Sequence, residues 1–272
     1  MIAPRSTARS YVECAAFVGV WIACGWALPV NPNEYLLLGV PLLAAFQLVV
    51  RRRPLRELWV RDASAFALRW PAPVLAAALA GLPAYELGSS LRVGQSGSAE
   101  AWLVCCLAGT AAAAFAIREQ RMAALRRALP ALVAALVLGC AVIAYAAVES
   151  GGTPAVPFFR IRFFLTQFLF YFPVCFVLEE VAFRGAIDAH VARPDATGAG
   201  AWASAIFVAA LWGLWHLPLA GASEPPGPAA ATLLAVHTLI GVPLSFCWRR
   251  GGTLLLPAAA HALIDAYRNT VL

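Results

Sequence analysis

Apolar residues in this chain follow neither a helical nor a strand period. They come in long blocks separated by short polar gaps. Nine blocks can be drawn, at about 12–30, 35–50, 70–88, 100–117, 128–148, 164–187, 199–219, 230–247 and 253–270. Most have the roughly 17 to 25 residues that cross a bilayer as a helix. The second is short, and the third begins near Arg69 and contains prolines. A transmembrane barrel would alternate apolar and polar positions in segments of about ten residues, and no such alternation is found. The pattern predicts an all-α, polytopic helical membrane protein with eight or nine transmembrane helices.

The gaps are of two kinds. "RRRPLRELWVRD" (51–62), "REQRMAALRR" (118–127), "HVARPD" (190–195) and "WRRGG" (248–252) are rich in arginine. "NPNE", "GSSLRVGQSGSAE", "ESGGTPAVP" and "GASEPPGP" together hold one. The two kinds alternate, so the positive-inside rule places the N-terminus and the arginine-rich gaps in the cytoplasm. Nine spans leave the C-terminus outside, whereas eight reverse it. Arg51–Asp62 reads as a topology anchor, or as an amphipathic segment on the anionic inner leaflet. "FFRIRFF" (158–164) reads as an interfacial lead-in to span six, which Pro173 should kink. No internal repeat of the inverted-repeat transporter kind is evident.

Composition narrows this further. Of 272 residues, 62% are hydrophobic and only 12% charged, against roughly 25% charged in soluble domains. The net charge is +6, and every cation is arginine. Because those arginines sit in the gaps, the charge marks topology, and nucleic acid is excluded as a partner. Arginine without lysine, beside abundant Ala, Gly and Pro, suggests a GC-rich bacterial genome and hence a bacterial inner membrane. The seven cysteines lie in or beside apolar blocks with no CxxC pair. They read as small buried apolar residues, not as a disulfide framework or zinc site. The stretch after Arg5 and Arg9 is long for a signal peptide and reads as an uncleaved first span. No C-terminal lipidation motif is present.

Ionisable residues inside spans are costly, at least roughly 2.5 kcal/mol at mid-bilayer, so each is a functional hypothesis. They are Glu179, Glu180 and Arg184 in span six, His216 in span seven, His237 in span eight, and His261 and Asp265 in span nine. All fall in the C-terminal half, apart from Glu13, Arg69 and Glu86 near the edges of earlier spans. Glu180 and Arg184 are four residues apart and can pair on one helix face. Glu179 points about 100° away, free to face another span. His261 and Asp265 share a face, as do Trp212 and His216. Two adjacent carboxylates in a low dielectric do not both ionise easily. With Glu180 held by Arg184, Glu179 is the expected general base. A base beside one histidine can activate water, and a second histidine with an Asp can meet a developing oxyanion. Those are the parts of amide hydrolysis without a covalent intermediate. His237 reads as a hydrogen-bonded packing group, and His190 as solvated beside Arg193 and Asp195.

Three motifs carry a resemblance. "EEVAFRG" resembles the EExxxR motif of the CPBP family, the CAAX proteases and bacteriocin-processing (Abi) enzymes. "WGLWH", ending at His216, resembles its FxxxH motif, with Trp212 in place of Phe. "HALID" resembles its HxxxN/D motif, with Asp265 where prenyl-protein endopeptidases carry Asn. An ionised Asp cannot donate to an oxyanion, so Asp265 either carries a proton or orients His261. The resemblance covers about residues 160–272. It implies residues 1–157 as a transmembrane scaffold and 158–272 as a catalytic core with a conical intramembrane bundle. It also implies a glutamic-type intramembrane endopeptidase acting near the membrane surface on a membrane-anchored peptide or protein. In that scheme Glu179 and His216 activate water, His261 and Asp265 stabilise the oxyanion, and Glu180, Arg184 and Trp212 support them. An older view of the family makes it metal-dependent. Two histidines and carboxylates could ligate zinc, but HExxH is absent, and the metal-free scheme is favoured. A proton-coupled transporter and a non-catalytic scaffold or immunity protein are the competing readings. One conflict stands: Glu179 falls towards the cytoplasmic half of its span and His216 near the outer end of its own. They meet only if a boundary shifts or a helix dips, with Pro173, Pro218 and "ATGAGA" as the places for it.

Overall fold

The computed structural model describes residues 7–94, 97–193, 197–220 and 226–272. Each predicted block contains a helix: α1 (Thr7–Ala27), α2 (Pro32–Ala45), α3 (Ala72–Arg92), α4 (Ser98–Glu119), α5 (Met122–Glu149), α6 (Ile161–Cys175), α7 (Gly198–Trp215), α8 (Pro226–Gly251) and α9 (Leu255–Val271). Among the described residues there is no strand, only an isolated bridge between Val60 and Thr253. Local chemistry sets some of these ends. Asn31 caps α2 through a capping box: its side chain accepts from the Glu34 N–H at 3.1 Å, and the Glu34 carboxylate accepts from the Asn31 N–H at 2.9 Å. Two otherwise orphaned donors are thereby satisfied.

Eight of the described helices are long and apolar enough to span a membrane. The chain is a multi-pass membrane protein. The ninth, α9, has 17 residues and still crosses the bundle, antiparallel to α6. Arg160 Nη1 donates to Thr270 O at 2.7 Å at one end, Asn269 Nδ2 donates to Gln167 Oε1 at 3.0 Å, and His261 meets Glu180 further along.

Span six departs from expectation. It is a broken element and not one kinked helix. α6 stops at Cys175, two residues after Pro173, and the Phe176 N–H closes the last turn on Pro173 O at 3.2 Å. Pro173 supplies no N–H to the ladder, so the break falls beside it. The chain turns through 176–178, resumes at Glu179, and runs as a π-helix over Val181–Asp188, every residue of it buried. Such wide-pitch segments recur at functional sites. Glycines let this element pack closely. A Cβ on Gly185 would overlap Leu58 O, and one on Gly109 of α4 would overlap Pro173 O. Gly185→Ala must push the π-helix off the 51–62 segment. We expect an unfolding free energy lower by about 1–3 kcal/mol, read as a drop in the thermal midpoint in detergent, with Gly81→Ala, whose added methyl meets nothing within 4 Å, as the control.

Three of the arginine-rich gaps, 51–62, 118–127 and 248–252, gather at one end of the bundle. Arg61 donates to the carbonyls of Trp248 and Arg249 (3.2 and 3.1 Å), Gln120 Nε2 donates to Gly251 O, and Arg51 Nη1 donates to Gly185 O at 3.0 Å. Segment 51–62 is therefore stitched beneath the helices, with Leu58 and Val60 buried. It is not a free amphipathic strip on the leaflet. His190 also differs from expectation. Its Nε2 lies 2.7 Å from Glu13 Oε2 and its side chain is 8% exposed, so it is an interhelical contact and not a solvated loop residue. Asp195, and residues 221–225 of "GASEPPGP", lie outside the described residues.

Candidate active site

Glu179, Glu180, Arg184, Trp212, His216, His261 and Asp265 come together inside the bundle. Glu180 and Arg184 are wholly buried, with Glu180 Oε1 at 3.1 Å from Arg184 Nη1. The same oxygen accepts from His261 Nδ1 at 2.9 Å. Glu180 thus has two partners where the sequence suggested one. Arg184 has a second task too: its guanidinium lies over the Trp212 ring, 4.4 Å from the centroid. A buried cation over an indole face is stabilised by the ring quadrupole.

Glu179 faces the other way, as its 100° offset implies. Its Oε2 accepts from the Trp212 indole N–H at 2.8 Å. It lies 3.7 Å from His216 Nε2 and 4.0 Å from His261 Nε2. The depth conflict is resolved by two features. The break at 176–178 re-aims the chain before Glu179, and α7 ends at Trp215 while still enclosed. Trp215 is fully buried, packed edge-on to Trp21 (5.0 Å) and stacked with Tyr35 (5.3 Å), whose hydroxyl donates to Trp215 O at 2.7 Å. His216 follows directly and stays within the bundle.

The imidazole tautomers follow from their partners. His216 Nδ1 lies 2.9 Å from Trp212 O. A carbonyl only accepts, so Nδ1 carries the hydrogen and Nε2 presents a lone pair towards Glu179. Two acceptors 3.7 Å apart can share one water that donates to both. His261 differs, because both ring nitrogens face carboxylates: Nδ1 faces Glu180, and Nε2 lies 3.4 Å from Asp265 Oδ2. That surrounding suits a ring that donates from both nitrogens. Asp265 is itself held by Arg268, with Oδ1 3.1 Å from Nη1, so it is placed to orient His261. A cavity of about 30 Å³ touches Glu179, His261 and Asp265, enough for an ordered water.

Several participants were not legible in the sequence. Trp212 appeared only as an aromatic wall, yet its N–H orients Glu179. His237 does bond a carbonyl, Leu233 O at 2.8 Å, as a packing histidine would. It also lies against His216, with centroids 4.1 Å apart, and against Trp212 at 4.6 Å. Cys175 lines the small cavity, as do Leu36 and Trp102 from the N-terminal half. Among the described residues, no three His, Cys, Asp or Glu side chains are grouped so as to hold a metal ion.

Residues 161–267 match the model of the family described as type II CAAX prenyl endopeptidase, Rce1-like. The matched segment spans about two fifths of the chain and contains Glu179, Glu180, Arg184, Trp212, His216, His261 and Asp265. No curated protein and no solved structure matches the chain.

Proposed function

We propose, from the match of residues 161–267 to the Rce1-like family model, that the chain is a glutamic-type intramembrane endopeptidase of a bacterial inner membrane, with its N-terminus in the cytoplasm. The observation that carries this reading is the convergence of Glu179 Oε2 on two histidine Nε2 atoms, at 3.7 and 4.0 Å, beside a water-sized cavity. Water held between Glu179 and His216 attacks the scissile carbonyl while Glu179 takes its proton. The carbonyl oxygen becomes an oxyanion beside His261 Nε2–H, which Asp265 orients and Glu180 holds from behind. Glu179 then passes the proton to the departing amine as the C–N bond breaks. Trp212 positions Glu179, and Arg184 supports both Trp212 and Glu180. Residues 1–157 serve as scaffold and substrate access.

The test compares membrane and secreted proteomes of the wild type and a Glu179→Ala strain. A precursor that accumulates uncleaved only in the variant identifies both activity and substrate; identical proteomes would sink the reading. The scheme routes no step through a metal. Cleavage by purified protein is expected to be unchanged after prolonged treatment with a zinc chelator, and loss restored by added zinc would reject the scheme.

A further inference from the structure

The small cavity at Glu179 adjoins a much larger open cleft of about 400 Å³, and Trp102 and Tyr171 line both. The cleft continues past them to Asn33, Glu86, Ser90 and Gln167. Its place along the helices fixes where it opens. Asn33 is the second residue of α2, Ser90 the third from the end of α3, and Trp102 the fifth of α4. These are the helix ends joined by the arginine-poor gaps 31–34 and 88–100. The opposite end of α4, Glu119, lies 17 residues from Trp102, about 25 Å at helical rise. There the gaps 51–62, 118–127 and 248–252 hold eleven arginines. Towards the cleft end stand Arg92, Arg160, Arg162 and Arg268. The charge bias orients the cleft away from the cytoplasm.

We infer that substrate reaches Glu179 through this cleft from the extracytoplasmic face. The substrate is then an exported, membrane-anchored protein whose scissile segment enters unwound. An unwound backbone at membrane depth needs hydrogen-bond partners, because lipid offers none. Asn33 of α2, Ser90 of α3 and Gln167 of α6 supply them, while Trp102 and Tyr171 cover apolar side chains. Most of this lining comes from α2, α3 and α4, so residues outside the family-matched segment select the substrate. The inference rests on the protease reading for its occupant but not for its side.

Single variants Ser90→Cys and Arg250→Cys in the full chain separate the two. The parent's seven cysteines, all buried or half-buried, set the background for a membrane-impermeant maleimide. In intact spheroplasts Ser90→Cys is expected to label at least ten times faster than Arg250→Cys, with the order reversed in inside-out vesicles. Labelling of Ser90→Cys only in inside-out vesicles, or of both sites from one side, overturns the entry side. On a substrate found by the proteome comparison, a bulky maleimide on Ser90→Cys is expected to slow cleavage at least tenfold. Unchanged cleavage after complete labelling overturns the cleft as the route. Labelling is read without any substrate, so failure of the protease reading shows in the cleavage assay alone.

Discussion

Glu179→Gln is expected to reduce peptide-bond cleavage by purified protein by about 10²–10⁴-fold, the usual contribution of a positioned general base, with an unchanged thermal midpoint. Glutamine keeps the size of the side chain and an oxygen that can still accept from the Trp212 N–H, the 2.8 Å contact of Glu179. It cannot take a proton from water. The substitution therefore removes the base while preserving the bond that positions it. Glu179 also belongs to no buried ion pair as close as that of Glu180, its nearest histidine nitrogen being 3.7 Å away. Stability should not depend on its charge. Single-turnover cleavage of a fluorogenic peptide beside a melting curve checks both halves. A Gln variant of full activity would remove Glu179 from the chemistry, and one that fails to fold would make it structural.

Arg184→Leu should do the opposite: unfold first and inactivate as a consequence. Arg184 and Glu180 have fully buried side chains 3.1 Å apart. Removing one member of a buried pair leaves the other as an uncompensated charge, which costs about 3–5 kcal/mol. Here the remaining carboxylate also holds His261 at 2.9 Å, and the lost guanidinium covered Trp212. The damage should therefore spread to both sides of the site. Adding Glu180→Gln removes the orphaned charge and should recover part of the stability. It should not recover activity, because His261 would lose its carboxylate partner. Melting curves of both singles and the double give the coupling energy. A double variant no more stable than Arg184→Leu alone would show that the two charges do not support each other.

The sequence carried the helices because lipid imposes a simple rule: every backbone polar group must be satisfied within its own segment. Blocks of bilayer length therefore read as helices, and α3, though interrupted by prolines, is helical like the rest. Charge in hydrocarbon is costly, so the few ionisable residues inside spans stood out, and the structure brings them together. Spacing of four residues correctly paired Glu180 with Arg184 and His261 with Asp265, since both pairs lie within one element. Depth was another matter. Hydropathy records that a residue is in the membrane but not how far in, so Glu179 and His216 appeared to be separated.

The residues alone were enough for the set of helices, the alternation of their charged ends and the identity of the ionisable cluster. Each of these depends on transfer energies or on neighbours within one helix. The break at 176–178, the meeting of Glu179 with His216, the second partner of Glu180, the indole bond to Glu179 and the entry of Trp102 and Leu36 into the cavity emerged only in the folded bundle. These depend on how separate helices pack. Glycine contacts such as Gly109 against Pro173 O and Gly185 against Leu58 O set that packing. No local periodicity encodes which distant backbone a glycine will meet.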